Sequence, residues 1–130
     1  MFRKRKLSLF TVAAAAVLLT TGLAAPASAR PGTWYDCPDK WFCLYDHYNG
    51  DGLFWKGINC GGAVYNIGAQ GLGDRANSYW NRTTHATAQM LNWTGTRWEP
   101  VETIGPFTNG NNLSAGKIDQ IDGVRLVCII

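Results

Sequence analysis

Few side chains in this sequence could perform chemistry, and their spacing matches no catalytic motif. The two histidines, His47 and His85, lie 38 positions apart. A catalytic pair would need a nucleophile or a metal ion within hydrogen-bond distance, and the sequence contains neither a Gly-x-Ser-x-Gly nor a His-Glu-x-x-His motif to supply one. We interpret both histidines as surface residues. The sequence therefore predicts no catalytic residues and a protein that is not an enzyme.

Four cysteines are the remaining reactive side chains: Cys37, Cys43, Cys60 and Cys128. An even number of cysteines indicates disulfides in an exported chain, which the N-terminus of this sequence predicts, and four cysteines allow three pairings. We favour Cys37 with Cys43, which would form a short clip, and Cys60 with Cys128, which would hold the C-terminal strand. A zinc site is the alternative, but the spacings do not form paired Cys-x-x-Cys motifs. We therefore predict no bound metal.

The N-terminus has the order of residues that is typical of a secretory signal peptide. Basic residues at 3–6 are followed by an apolar run over 7–25, and Ala27-Ser28-Ala29 forms a signal peptidase site. A retained membrane anchor is the alternative, because the run approaches the roughly 20 residues that span a bilayer. The cleavage site argues against it. We predict a signal peptide over 1–29 and a single secreted, extracellular domain over 30–130.

Removal of the leader changes the sign of the net charge. The full sequence carries a net charge of +3, but four of its 12 Lys and Arg lie in the leader and none of its nine Asp and Glu does. Eight basic residues against nine acidic ones leave a net charge of −1. No basic surface remains for a nucleic acid or an anionic membrane to bind. The length fits one domain with a modest core, and we expect a monomer.

Apolar alternation and turn residues predict strands throughout the exported part. In the first half, we predict strands over 41–46, 53–55, 63–67 and 76–81, the first of them half-buried because its apolar residues alternate. In the second half, we predict strands over 85–91, 97–104 and 123–130, with a turn at 92–96 and a loop at 105–112. No stretch outside the leader shows a long helical period.

A faint internal repeat divides the domain in two. Asp74-Arg75-Ala76-Asn77-Ser78 and Asp119-Gln120-Ile121-Asp122-Gly123 lie 45 positions apart, and each leads into the last strand of its half. We interpret this pattern as four strands in each half, although the apolar alternation locates only three in the second, and such strands without long helices are typical of two Greek keys packed as a sandwich. The predicted fold class is all-β, with two four-stranded Greek-key units stapled by disulfides.

The first half resembles the Greek-key motif of the βγ-crystallins. Tyr45 is followed by six residues and Gly52, and Asp74-x-x-x-Ser78 precedes an aromatic strand. The resemblance implies that the aromatic ring packs against a folded hairpin, that Gly52 permits its sharp turn, and that Ser78 hydrogen-bonds back onto it. Together with the leader and Cys37-Pro38-x4-Cys43-x-Tyr45, this makes the chain similar to the secreted actinobacterial peptidase inhibitors typified by the Streptomyces metalloproteinase inhibitor.

This resemblance implies a secreted inhibitor of extracellular peptidases, with metallopeptidases as the expected targets. Such a protein needs a loop that a rigid scaffold holds in an extended form, so that little entropy is lost on binding. By position we expect that loop at 92–99, with Arg97 or Trp98 as the specificity side chain. The candidate inhibitory residues are Trp93, Thr94, Gly95, Thr96, Arg97 and Trp98.

A non-enzymatic βγ-crystallin-like binding or structural module is the alternative function. Many βγ-crystallin domains bind calcium through paired loops, and Asp74, Asn77, Asp119 and Asp122 could supply oxygen ligands. Each loop lacks the hydroxyl side chain expected at its fifth position. We therefore interpret these four as turn residues that lead into strands, and we expect no cofactor, with calcium as the alternative.

Six tryptophans, at 34, 41, 55, 80, 93 and 98, are a high aromatic load for a domain of this size. Packing in the core and in cross-strand pairs can accommodate most of them. Trp93 and Trp98 lie near the predicted turn and could instead be exposed, where they would stack on a sugar or contact a protein. The alternative function, a non-enzymatic binding module, could therefore also be the binding of cell-wall material or carbohydrate.

Overall fold

The structure of the protein is a computed structural model that describes residues 34–129. The predicted signal peptide at 1–29 lies outside the described residues. Between residues 34 and 129 the chain forms eight strands and three 3-10 turns, at Trp34–Asp36, Tyr48–Gly50 and Gly68–Gln70, and no α-helix. The strands are β1 (Phe42–Tyr45), β2 (Leu53–Gly57), β3 (Val64–Asn66), β4 (Ser78–Asn81), β5 (Ala86–Trp93), β6 (Trp98–Ile104), β7 (Asn111–Asn112) and β8 (Gly123–Cys128). This part of the chain has no helix with the length and apolarity to span a membrane.

The strands form two antiparallel sheets of four, and each sheet takes one edge strand from the other half of the chain. The order is β2-β1-β4-β7 in the first sheet and β3-β8-β5-β6 in the second. The third strand of each half, β3 or β7, therefore pairs with the last strand of the other half. The prediction of an all-β Greek-key sandwich is confirmed. Because each sheet contains a strand from the other half, the two units form a single domain.

Equivalent backbone hydrogen bonds in the two halves follow the 45-residue repeat. Asn77 N–H donates to the Tyr45 carbonyl at 2.9 Å, and Asp122 N–H donates to the Leu91 carbonyl at 2.8 Å. In each half, this bond ties the segment that leads into the last strand to the end of the first strand. The repeat seen in the sequence therefore reflects a shared backbone geometry.

The half-buried alternation predicted for the first strand is wrong, because all four residues of β1 are buried. Phe42 and Leu44 belong to the core between the sheets, where they join residues from both halves of the chain. Cys43 and Tyr45 belong to a second cluster, against which Trp34 packs. Aromatic side chains thus cover the outer face of this strand, and both of its faces are apolar.

Two boundaries in the second half also differ from the prediction. β5 continues to Trp93, so the turn occupies 94–97 and not 92–96. The predicted loop at 105–112 contains strand β7, whose residues Asn111 and Asn112 pair with β4. A strand of two polar residues has no apolar period, and the sequence pattern therefore could not indicate it.

Two disulfides join the pairs that the sequence analysis favours, Cys37–Cys43 and Cys60–Cys128. The first closes a short segment beside β1, and its two cysteines lie in the second aromatic cluster. The second joins the loop after β2 to the last residue of β8 and so links the first half of the chain to the second. No cysteine among residues 34–129 is free.

Candidate functional site

The folded hairpin between β1 and β2 is held in place by Ser78. The Ser78 hydroxyl donates to the His47 carbonyl at 2.6 Å and accepts the Gly50 N–H at 3.1 Å. Gly50 and Gly52 have φ angles of 71° and 73°, a region that glycine enters without a clash of Cβ. The geometry of Gly52 and Ser78 is therefore that of residues that build the hairpin.

Tyr45 is wholly buried, in the cluster against which Trp34 and Leu53 pack. Its hydroxyl donates to the Trp34 carbonyl at 3.4 Å, and the two rings meet edge to face with centroids 5.4 Å apart. Burial, together with the negative charge of Asp36, raises the pKa of the phenol to about 12. The buried phenol therefore keeps its proton and packs against Trp34.

Asp74 and Asp119 begin the two repeat segments with the same unusual backbone, φ of 57° and 58°. Burial and the nearby carboxylates of Asp122 and Asp119 raise the pKa of Asp74. The Asn77 amide nitrogen donates to the carbonyls of Asp46 and Arg75. Across residues 34–129, no group of three or more His, Cys, Asp or Glu side chains is arranged to hold a metal ion.

The two histidines occupy separate parts of the fold. His47 is exposed in the first hairpin, whereas His85 Nε2 lies 3.1 Å from the Ile58 carbonyl at the start of the second half. The Nε2 contact of His85 is to a backbone carbonyl and not to a hydroxyl, a thiol or a carboxylate. His47 is therefore a surface residue, and the ring of His85 contacts the backbone. Among the described residues, neither ring has a hydrogen bond to a catalytic partner.

The hairpin of the second half, which carries the candidate inhibitory residues, is short and closed by its own groups. β5 and β6 pair as far as Trp93 and Trp98, and four residues make the turn. Thr94 N–H donates to the Arg97 carbonyl at 3.0 Å, and the Thr94 hydroxyl accepts the Arg97 N–H at 3.2 Å. Gly95 supplies a φ of 99°. The expected extended loop is thus a closed turn, because β5 stays paired with β6 as far as Trp93, two residues beyond the predicted end of the strand.

Aromatic packing braces the base of this second hairpin. The rings of Trp93 and Trp98 pack with centroids 5.1 Å apart at an angle of 55°. Trp98 also lies on Gly123, where an added Cβ would come within 2.7 Å of a ring carbon. Gly123 occupies the repeat position of Ser78, so an indole ring takes the place that a serine side chain has in the first half.

Arg97 is a hairpin side chain that is largely open to a partner. Its side chain is 74% exposed and pairs with Glu99, with 2.9 Å between Nε and Oε1. The side chain of Trp93 is 45% exposed, and the backbone N–H of this residue donates to Asp122 Oδ2 at 3.1 Å. Trp98 is half-buried by its contact with Gly123. Of the two expected specificity residues, Arg97 is therefore the accessible one.

A groove of about 330 Å³ at the other end of β6 was not anticipated from the sequence. Phe107 of the 105–110 loop lines it, together with Lys40, Trp80 and Arg82. The guanidinium of Arg82 lies 4.7 Å from the Trp80 ring and donates to the Cys37 carbonyl at 2.6 Å, so one wall is fixed. The only signal in the sequence was an aromatic residue after a proline in an otherwise polar loop.

Comparison with known protein families gives a match to the model of peptidase inhibitor family I36 over residues 30–99. The matched segment, more than half of the chain, includes the first Greek key and the second hairpin up to Glu99. It ends before the 105–110 loop. No curated protein and no solved structure matches the chain.

Proposed function

Because the chain belongs to peptidase inhibitor family I36, we propose that it is exported and inhibits extracellular peptidases, metallopeptidases above all, through the hairpin at 93–98. The family match is the observation that carries this proposal. It supports the role of a protease inhibitor, which needs no catalytic group, and it includes the whole of the hairpin.

The geometry of the hairpin supports the proposal by its rigidity. An inhibitor binds tightly when its contact segment loses little conformational freedom on binding. The mutual hydrogen bonds of Thr94 and Arg97 close the turn, and the packed rings of Trp93 and Trp98 hold its base. These contacts restrain the hairpin without a covalent cross-link. The hairpin can therefore enter an active-site cleft in one conformation.

Arg97 is the proposed specificity side chain. It projects from the turn with its guanidinium largely in solvent, and its pairing with Glu99 is exposed and therefore weak. A peptidase subsite with a carboxylate can replace Glu99 as the partner of Arg97 at little cost. Trp98, by contrast, would have to leave Gly123 in order to reach the peptidase.

An inhibition assay on the secreted product tests this proposal. The wild type and the variants Arg97→Ala and Lys56→Ala would be titrated against metallopeptidases and serine peptidases. Lys56 is an exposed cation on β2 of the other sheet and serves as the control. We expect inhibition that Arg97→Ala weakens by about tenfold, which is typical of the loss of one charged contact. Absence of inhibition at micromolar concentration, with both disulfides intact, would contradict the proposal.

Export is the second part of the proposal. The leader and the Ala27-Ser28-Ala29 site support it, as do two disulfides, which persist in an oxidising compartment. We expect the protein recovered from culture medium to begin at Arg30. N-terminal sequencing and the intact mass test this, and a product that retains residues 1–29 in the membrane fraction would contradict it.

A carbohydrate-binding module is the second candidate function, and the exposure of Trp93 favours it. A shallow pocket beside Trp93 is also lined by Asn66 and Asp122, and sugars bind aromatic faces flanked by such polar groups. The two indoles are tilted by 55° and do not form a flat platform. Retention on insoluble polysaccharide, lost in Trp93→Ala, would favour this function over peptidase inhibition.

A further inference from the structure

The 105–110 loop between β6 and β7 carries the most exposed of the large hydrophobic side chains that the structure describes. Phe107 is 72% exposed, and the next value is 48% for Ile129. A single exposed phenylalanine is not unusual in itself, because much of any protein surface is apolar. The backbone of Phe107 makes this one unusual.

Phe107 has a φ of 57°, in the left-handed region where a bulky residue is an outlier. It follows Pro106, and a position of positive φ directly after proline in a turn ordinarily takes glycine or asparagine. Either residue would relieve the backbone strain and remove the exposed ring. The strained backbone of Phe107 thus presents a ring that lies largely in solvent, and such strain is concentrated at functional sites.

The loop that presents Phe107 is rigid at its N-terminal end. Asn81, which is wholly buried, donates from Nδ2 to the Gly105 carbonyl at 3.0 Å. Phe107 N–H donates to the carbonyl of buried Thr83 at 3.1 Å, and the Thr108 hydroxyl donates to the Gly105 carbonyl at 3.0 Å. These bonds fix the backbone on both sides of the aromatic residue.

The C-terminal end of the loop is fixed by Trp34. The Trp34 indole lies between Gly50 and Gly110, so close that an added Cβ on either glycine would come within 2.4 Å of a ring atom. This contact joins the loop to the first hairpin and to the segment that the Cys37–Cys43 disulfide closes. The exposed ring of Phe107 is therefore carried by a loop that is held at both ends.

We propose that the 105–110 loop is a second peptidase-binding site of this inhibitor, in which Phe107 enters an apolar specificity pocket of the target. The inference rests on the proposed function, because the family supplies the class of partner. A rigid aromatic anchor that is buried on binding commonly supplies a large share of the affinity of an interface. The groove beside Phe107, lined also by Lys40 and Arg82, accommodates a side chain from the rim of the peptidase cleft.

The second site is separate from the hairpin at 93–98. The two loops lie at opposite ends of β6, and the length of this seven-residue strand places them about 20 Å apart. One active-site cleft can therefore receive only one of them at its centre. The family match ends at residue 99 and does not include the 105–110 loop.

The test compares wild type with Phe107→Gly, Arg97→Ala and the control Asp119→Gly. Asp119 is exposed and has a φ of 58°, so its replacement also places glycine at a left-handed position but removes no aromatic ring. The panel contains a metallopeptidase and a serine peptidase that cleave beside large apolar residues, and a serine peptidase that cleaves beside arginine. Inhibition constants and melting temperatures are measured for every variant.

We expect at least one apolar-selective peptidase whose inhibition constant rises roughly 10- to 100-fold in Phe107→Gly, and stays within twofold in Arg97→Ala and Asp119→Gly. The melting temperature of Phe107→Gly should equal or exceed that of wild type.

If wild type inhibits peptidases but Phe107→Gly inhibits each of them equally well, the second site is refuted and the proposed function stands. If wild type inhibits none of the panel, both the second site and the proposed function are refuted. A melting temperature lowered by several degrees in Phe107→Gly, with unchanged inhibition, would assign the ring to the fold.

Discussion

Asp74 is a side chain whose ionisation opposes folding. Burial and the carboxylates of Asp122 and Asp119 raise its pKa above the ordinary value of 3.8. A raised carboxyl pKa means that the folded state binds the proton more tightly than the unfolded state. The resulting loss of stability is present in full above the raised pKa, and it disappears as the pH falls below 3.8.

Replacement of Asp74 by Asn should therefore stabilise the protein at neutral pH. Asparagine tolerates the φ of 57° at this position as well as aspartate does, so the change removes the charge and leaves the turn. We expect a higher melting temperature for Asp74→Asn at pH 7 and the same melting temperature as wild type at pH 3. An equal shift at both pH values would show that charge is not the cause.

Single residues differed in how far the sequence disclosed their roles. Tyr45, Gly52 and Ser78 could be assigned to the first hairpin because their spacing matches a known motif. The role proposed for Phe107 could not be assigned in this way, because it depends on a positive φ and on exposure, and the sequence pattern indicates neither. The position of Arg97 was predictable, whereas its accessibility relative to Trp98 depended on a contact with Gly123, which is distant in sequence.

Gly123 opens β8 where the corresponding strand of the first half opens with Ser78. The difference follows from the packing of two elements, since the ring of Trp98 at the start of β6 occupies the space of a side chain at 123. The φ of Gly123 is not among the positive values of residues 34–129. Glycine is therefore needed here for space and not for backbone freedom.

A methyl group at 123 should separate these elements. We expect Gly123→Ala to lower the free energy of unfolding by about 1–3 kcal/mol, as overpacking usually does. Gly116→Ala is the matched control, because nothing lies within 4 Å of a Cβ at that position, and we expect it to change stability by less than about 0.5 kcal/mol. Urea unfolding measures both, and equal losses in the two variants would refute the packing argument.

The strands that contribute buried residues to the core were the ones that could be predicted from the sequence. β5 keeps an alternating pattern of buried residues over most of its length, and it was predicted almost in full. β7 was missed because it consists of two exposed asparagines whose strand geometry is imposed by pairing with β4. The burial of both faces of β1 was also missed, because it depends on the N-terminal segment with Trp34, which folds back over the sheet.

The exchange of β3 and β7 between the sheets makes each half dependent on the other. The main core contains buried residues from both halves, among them Phe42, Leu44, Met90 and Leu126. Neither half can therefore bury its apolar face alone, and we expect the molecule to unfold in one step. The faint repeat predicted two units, but it could not indicate that they share sheets, because strand order depends on pairing between distant segments.

The two disulfides should contribute unequally to the stability of this single unit. Cys60–Cys128 joins residues 68 positions apart and crosses from one half to the other, whereas Cys37–Cys43 joins residues six positions apart. Loop-closure entropy in the unfolded chain then gives about 4 kcal/mol for the long closure and about 2 kcal/mol for the short one. Since small domains are commonly stable by about 5–15 kcal/mol, loss of the long closure should leave little reserve.

Guanidinium unfolding of Cys60→Ala/Cys128→Ala and of Cys37→Ala/Cys43→Ala measures this difference. We expect a single transition in both variants, with the midpoint lowered more in the first, because the strand exchange keeps the halves coupled after either bond is removed. A two-step transition in Cys60→Ala/Cys128→Ala would mean that the disulfide, and not the shared sheets, joins the halves. Equal losses in the two variants would mean that local packing around the cysteines outweighs chain entropy.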